Sequence, residues 1–508
     1  MLTPDEVVDV TRDLWKRHRD EMPQHDRVYD YVRGKRGRPE VPDGAGDELE
    51  DIAKLAVKNV LSLVRDAFAQ GLAVTGYRSA SETDNAAVWA EWQRHRLDAR
   101  QGEPMRAAIT YGSAYGVVTD TVRFRSPRQM IAVYSDPHVD LWPVYALETW
   151  IDDSEKRARR FGTLYDDTHS YPLDLGFIQR ARSGDDEERY SRAATVTPTF
   201  DDDYEPTEHG NDGCPVVRFV NARDGERLVV GEIEPLIEQQ RAINVVNFDR
   251  LVVSRFGAFP QRYAIGWAPR SSSELAKVSM NRLLAFEDGK ETVQVGAFPA
   301  ASVEPYNSIL AEMIRHVAMT AGITPLTLTG DIENIAAEAA AMIDAPYQRK
   351  LAAKRESFGE SWEQMLGLMA RRANIEVDES AEVVWRTDDS RAFGAVVDGI
   401  TKLAAAGVPL EVLLDDVPGW TQQQIEAARS ALRRRSGGGV LAALRDAAPA
   451  PEDSAAIKAK ADAMGVLIRA GVDPKEAADQ VGFSGMKFTG AVPTSLRLPS
   501  TDAAALEE

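Results

Sequence analysis

Residues 302–374 read SVEPYNSILAEMIRHVAMTAGITPLTLTGDIENIAAEAAAMIDAPYQRKLAAKRESFGESWEQMLGLMARRAN. Their patterning decides the fold: a helix, a short loop, then a much longer helix. Ser302 is a favourable N-cap, with Glu304 and Pro305 in the first turn. Leu310, Met313, Ile314, Val317 and Ala321 recur at three- and four-residue spacing. Gly322 ends that helix and Pro325 forbids its resumption, leaving 323–333 as a loop with Leu326 and Leu328 at its tip. From Asn334 the helical pattern returns and continues to about Asn374, on the order of 60 Å if unbroken. Pro346 removes a donor and clashes with the Met342 carbonyl, which predicts a kink. Arg371 and Arg372 in the last turn suit the negative end of the helix dipole. The nearly all-alanine stretch 336–341 allows another backbone to approach closely. A rod this long must run through several layers or pack against copies of itself.

Working outward, 508 residues imply two to four domains, and 44% apolar with 28% charged residues is ordinary for a soluble globular chain. The single Cys214 excludes a disulfide framework and a multi-cysteine metal site. The amino terminus has no apolar signal core; instead Thr3 and Glu6 form a capping box opening an amphipathic helix. No apolar run reaches membrane-spanning length, so a soluble, intracellular origin is expected. The net charge of −20 says more. Holding a duplex needs clustered Lys and Arg, so a chain this acidic should handle DNA, if at all, without gripping it.

Residues 1–112 read as mainly helical, with amphipathic segments over 47–70, closed by Gly71, and over 85–100, where Trp89 and Trp92 are core residues. Short β-type runs follow at 115–122, 130–135, 144–151 and 158–165, which predict an antiparallel meander. Residues 180–213 hold four Arg against ten acids and read as a solvated acidic loop; the spacing around Asp201, Asp202, Asp203 and Glu205 is not that of a calcium loop. Strand character returns at 214–220. Residues 232–254 form a long helix of broad apolar coverage. A compact insertion at 256–299 then combines a strand (261–267), a helix (271–280) and a hairpin of 283–287 with 291–295 through Asp288-Gly289. Residues 398–417 align without gaps on 462–481, sharing Leu403/Leu467, Ala406/Ala470, Gly407/Gly471 and Val408/Val472. Two readings stand: duplicated helical hairpins, or chance similarity of alanine-rich helices. Residues 436–439 and 447–451 read as linkers, and the tail after Gly490 as disordered. The class is α+β, mostly helical.

No catalytic constellation is present. GxxxxGK[ST], GxGxxG, GxSxG and HExxH are all absent, which argues against P-loop ATP hydrolysis. His18-Arg19-Asp20 lies inside the first helix and lacks the Asn a kinase loop needs. The seven histidines are scattered and none pairs at metal-ligand spacing. We expect no enzyme, no cofactor and no metal. Only 255–302 departs from the acidic average, with six Lys or Arg against four acids. Arg262, Arg270, Lys277, Arg282 and Lys290 there could contact DNA or an acidic partner; solvated surface is the competing reading.

The order of these parts resembles that of portal proteins, the head-to-tail connectors of long-tailed double-stranded-DNA phages. The segments that carry the resemblance are EPLIEQQRAINVVNFDRLVVSRFGAFPQRYAIGW (234–267), GITPLTLTGDIENIAAEAAAMIDAPYQRK (322–350) and SFGESWEQMLGLM (357–369), and the order covers roughly 1–420. The resemblance implies a wing (1–231), stem helices (232–255 and 303–322), a clip (256–302), a tunnel loop (323–333), a kinked helix to 387 and a helical crown from 388 to 490. It implies a homododecameric ring at one capsid vertex through which double-stranded DNA passes non-specifically during packaging and ejection. Its implied partners are the terminase large subunit, a head-completion or adaptor protein, and the major capsid and scaffold proteins, with no membrane. The location implied is the virion, after assembly in the host cytoplasm.

The tunnel loop so implied is Pro325, Leu326, Thr327, Leu328, Thr329, Gly330 and Asp331. It offers small polar and apolar contacts and no cation, and Asp331 would repel phosphate. A dodecamer of chains at −20 each would carry roughly −240, so most of its surface would repel DNA. The alternative is a non-ring helical adaptor or scaffold protein of the virion.

Overall fold

In a computed structural model, residues 1–434 are described except 45, 80–81, 155–157, 178–179, 183–187, 191–198, 201–204, 212, 226–228, 258–261, 266–282, 287–293, 298–301, 331–336, 379, 387–392, 415–416, 418–419 and 421; beyond them, 464, 473, 477 and 478 are described. The architecture is α+β, with helix the commoner state, in two units, Met1–Asp388 and Asp389–Glu508.

Helix α1 (Pro4–Val32) opens on the expected capping box, Thr3 and Glu6 each accepting the other's backbone N–H. Its apolar side, with Val7, Leu14 and Trp15, buries against Leu147, Leu164, Tyr171 and Leu173 of a sheet. The amphipathic segment 47–70 is not one helix but two, α2 (Asp47–Leu55) and α3 (Val60–Gln70). Asn59 caps α3 by accepting the Ser62 N–H. The carbonyls of Ala56 and Lys58 in the break are taken by amides from a helix some 190 residues away in sequence. A local apolar period cannot register such partners. After β1 (Val74–Arg78), the helix expected over 85–100 is also divided, into α4 (Glu82–Arg94) and α5 (Leu97–Arg100), by Arg96 at φ 55. That left-handed residue turns the chain so that Asp98 accepts the Trp92 indole N–H. Helix α6 (Gly102–Tyr111) follows.

Two antiparallel sheets follow α6. Strands β2 (Ser113–Val118) and β3 (Val122–Arg125) pair, and β12 (Val216–Val220) adds to β2. The meander is β4 (Met130–Val133), β5 (Tyr145–Asp152), β6 (Arg159–Tyr165) and β7 (His169–Phe177). The expected meander is therefore there, but the run 115–122 belongs to the other sheet. Strand β7 escaped the sequence reading because Pro172, lacking an N–H, argues against a strand. The acidic segment 180–213 is not wholly loop: β8 (Arg180–Arg182) pairs β9 (Glu188–Tyr190), and β10 (Thr199–Phe200) and β11 (Thr207–Glu208) each pair β7. Asp201, Asp202 and Asp203 lie outside the described residues. Tyr115, Val117, Met130, Ala146, Tyr165, Cys214 and Val216 fill a common core cluster of the two sheets, which buries the lone thiol.

A 3₁₀ turn (Glu234–Leu236) leads into α7 (Ile237–Gly257). Strands β13 (Arg262–Ile265), β14 (Leu283–Phe286) and β15 (Gln294–Ala297) then form a sheet in the order β14-β13-β15. The hairpin expected of the last two is absent: β14 pairs β13 in parallel and β15 pairs β13 antiparallel, so the two flank a shared partner. An Asp-Gly turn signal is local, whereas the choice of strand partner is not. The expected helix 271–280 and Asp288-Gly289 lie outside the described residues. Helix α8 (Glu304–Ala321), a single-turn α9 (Pro325–Thr329), α10 (Ala337–Arg372) and β16 (Glu382–Trp385), which pairs β1, complete the unit. The C-terminal half of α10 runs through the largest core beside α3, α4, α6 and β12.

In the second unit, α11 (Phe393–Ala405) is followed by Gly407 at φ 98, and Pro409 leads into α12 (Leu410–Leu413); α13 (Gln422–Arg434) follows. Ile400, Leu413 and Val417 form its apolar centre. This is the helical hairpin read from 398–417; most of its counterpart at 462–481 lies outside the described residues.

Candidate functional site

The stretch read as a loop over 323–333 is built from two helix ends. Ser302 accepts the Glu304 N–H at 3.3 Å but is not the expected N-cap: Val303 holds that position without a side-chain bond, so α8 starts one residue later than the sequence predicts. At the other end Gly322 adopts φ 71, and the N–H groups of Gly322 and Ile323 close back on Met319 and Ala318. Thr324 to Gly330 is then a helical turn rather than open loop. Proline at the first helical position needs no donor, and Gly330 at φ 70 ends the turn. Pro325, which forbids continuation of α8, thus starts α9. The Thr324 hydroxyl donates to Asp344 at 2.7 Å, fixing this turn on α10.

The seven tunnel-loop residues are not equivalent. Leu326 and Thr327 are exposed, whereas Leu328 is half-buried and packs on the main core. Gly330 is exposed in a conformation that an L side chain would strain. Asp331 lies outside the described residues. Among the clip residues, Arg262 lies on β13, while Arg270, Lys277, Arg282 and Lys290 lie outside the described residues. Pro346 sits inside α10, which continues through it from Ala337 to Arg372 without a break in helical structure. The Met342 carbonyl loses its helix donor there, on a residue whose side chain is 79% exposed, where water can replace it.

What positions the turn is a buried charge cluster that no local pattern announces. Glu232 accepts from both Lys350 and Lys354 of α10, and also from the Asn221 amide. Lys354 donates to Asn221 as well, at 2.6 Å, and Lys350 donates to the Ala321 carbonyl at 2.8 Å, the C-terminal end of α8. Both ammonium groups lie about 5 Å from the centre of the Phe68 ring. Burial alone would raise the Glu232 carboxyl, but Lys354 and Lys350 outweigh it and hold it below the usual range. Burial lowers the Lys354 ammonium, against the pull of Glu232. The cluster ties β12, the start of α7, the end of α8 and α10 to one point. The one signal available was the Lys350–Lys354 spacing, which puts both on one helix face; their partner is 118 residues away.

Helices α7 and α8 pack side by side. Val317, Ala318 and Ala321 bury apolar surface, whereas α7 buries Gln240, Asn244 and Asn247 beside Ile243. Gln240 donates to the Lys58 carbonyl, Asn244 to Gly37 and Asn247 to Ala56. Sequence reasoning missed these amides because it weighed only the apolar positions. Outward from this bundle, Val245, Ile309, Met319, Leu326, Met342 and Ile343 remain exposed. Among the described residues there is no group of side chains that could hold a metal ion, and no helix is long and apolar enough to cross a membrane.

Compared with known proteins, residues 12–437 match the family model described as phage portal protein, SPP1 Gp6-like. No curated protein matches. A solved chain from the virion of a native gene transfer agent (GTA) particle overlaps 77% of this chain and 99% of its own length, at 11% identity and a TM-score of 0.41.

Proposed function

Since the chain belongs to the phage portal protein family, SPP1 Gp6-like, a structural rather than enzymatic family of the virion, we propose that it forms a homo-oligomeric ring at one capsid vertex. Double-stranded DNA passes through this ring during packaging and ejection. In this reading 1–231 is the wing, α7 and α8 the stem, 256–302 the clip on which the terminase and then a head-completion protein dock, and the turn at 323–333 faces the channel. Residues from 388 form the crown. Assembly takes place in the host cytoplasm with capsid and scaffold proteins.

One observation carries the reading. The large apolar side chains Val245, Ile309, Met319, Met342 and Ile343 stay exposed on three adjoining helices whose other faces already lie in the core. Large apolar side chains left uncovered on neighbouring helices support an interaction surface, and a neighbouring copy in a closed ring is the cover that needs no other partner. The net charge of −20 suits a conduit rather than a clamp, because few cations are available to hold phosphate.

Native mass measurement tests this. A particle of about twelve subunits, or a neighbouring number, supports the ring; a stable monomer or dimer at high concentration counts decisively against it. Within the ring reading, Leu326→Glu places an acid on the exposed side of α9. Rings should form normally while DNA packaging falls. Loss of assembly instead would make the turn structural.

A further inference from the structure

Where the end of α10 meets the sheets, four separate pieces of chain converge on His209. They are the turn between β6 and β7, the segment 209–211 after β11, the end of β2 and the last turn of α10. His209 is buried, and both of its ring nitrogens are engaged. The Asp166 carbonyl, 3.2 Å from Nε2, can only accept, and the Asn211 N–H, 3.3 Å from Nδ1, can only donate. These partners fix a neutral ring with its proton on Nε2.

The rest of the junction hangs on that ring. Gly210, at φ 68, makes the bend that returns the Asn211 N–H to Nδ1. Asn211 donates its side-chain amide to the Val118 carbonyl at 2.9 Å, at the end of β2. Arg372 donates to the His209 carbonyl and, at 2.6 Å, to Asp120 just beyond β2.

The charged and titratable groups that face the imidazole are Asp166, His169 and Arg372. The Asp166 carboxylate is already engaged by the Tyr171 hydroxyl and by the N–H groups of Thr168 and His169. Burial holds the imidazole below its ordinary range, against the Asp166 carbonyl and carboxylate, and the charges of Arg372 and His169 lower it further. Beside the ring, the Asn211 Oδ1 is buried without a hydrogen-bond partner among the described residues. It is an acceptor on the very residue that a proton at Nδ1 would displace.

We propose that His209 is an acid-released clasp: a proton taken from solution at Nδ1 displaces the Asn211 N–H, frees 209–211 from the end of β2, and loosens the last turn of α10 while the core stays folded. Asn211 then turns its amide away from Val118 and presents Oδ1 to the new Nδ1–H. Both positions of the segment are hydrogen-bonded, so the change is between two states rather than a fraying of one. No residue of α7, α8 or α9 takes part, and the clasp stands independently of the ring reading.

An opened His209 has the ordinary imidazole value of 6.5. From neutral pH to pH 5 the open form therefore gains up to about thirtyfold. Hydrogen exchange read by mass spectrometry on the full-length chain, corrected for the intrinsic effect of pH, measures this. At pH 5, peptides covering 118–121 and 209–211 should lose about tenfold or more of their protection, whereas those covering 358–369 keep theirs. His209→Gln retains a neutral donor and acceptor and should hold its protection at both pH values. Unchanged protection at 209–211 in the wild-type chain, an equal loss in His209→Gln, or a parallel loss at 358–369 would each overturn the proposal. Should His209→Gln fail to fold, exchange at the imidazole C2 of the wild-type chain decides: titration of His209 below 6.5 supports the clasp, and titration at or above that value overturns it.

Discussion

Large apolar side chains occur in both parts of α10, with opposite fates. From Leu351 onward, Phe358, Trp362, Met365, Leu366 and Met369 are buried by this chain's own α3, α4, α6 and β12. Near the start, Met342 and Ile343 are 79% and 45% exposed. Lys350 and Lys354 stand at the border, held by Glu232. One half is therefore a folding element and the other, in our reading, an assembly element. For the large apolar side chains, the difference lies in whether the rest of the chain comes back to cover them.

The comparison can be broken most severely at Trp362, whose ring lies 4.9 Å from that of Phe219 and 5.0 Å from that of Trp92. Trp362→Ala should cost about 5 kcal/mol in chemical denaturation, and a loss near zero would mean that this half is not packed as described. Glu232→Gln attacks the border. It leaves the buried Lys354 without its carboxylate and should cost about 4 kcal/mol, and it should loosen α8 and α9, read as faster amide exchange at Ile323 and Thr327.

An acid titration separates burial on α10 from burial on α1. His18 donates from Nε2 to the Pro127 carbonyl, and its Nδ1 is buried without a partner. Burial lowers the imidazole from 6.5 to about 4. Between those values the unfolded chain binds a proton that the folded one refuses, so stability falls as pH drops through that window, by about 3 kcal/mol. His18→Gln should flatten that stretch of the curve, and an unchanged slope would assign it to other groups. The smallest effect is expected at the exposed start of α10. Met342→Ser with Ile343→Ser should change subunit stability by no more than about 0.5 kcal/mol, yet lower the ring population in sedimentation. Loss of stability equal to that at Trp362 would erase the distinction between the halves.

Much of the element order was legible along the chain. The Thr3–Glu6 box, the Gly322 stop and the period of α8 are short-range devices, and each appears in the structure where the residues place it. Two of the failures share a cause. The break between α2 and α3 and the sharing of β13 by β14 and β15 depend on partners far away in sequence, whereas the division at Arg96 turns on one left-handed residue and the nearby Trp92–Asp98 bond. At the candidate site, the helical turn at 325–329 was hidden because Pro325 ends one helix and begins another with the same property, a fixed φ without a donor. The cluster at Glu232 was hidden because an isolated glutamate before a helix looks like any favourable first-turn acid.

By itself, the sequence determined where helices could start and stop, that no residue spacing supports P-loop or zinc chemistry, and that 508 residues carry a charge of −20. Those follow from backbone geometry, side-chain chemistry and counting, which need no third dimension. Only the tertiary structure decided which apolar face is covered, which lysine meets which carboxylate, and which of the seven turn residues reaches solvent. Burial and ion pairing are properties of pairs brought together by the whole fold, and a chain read in order does not contain the distances between them.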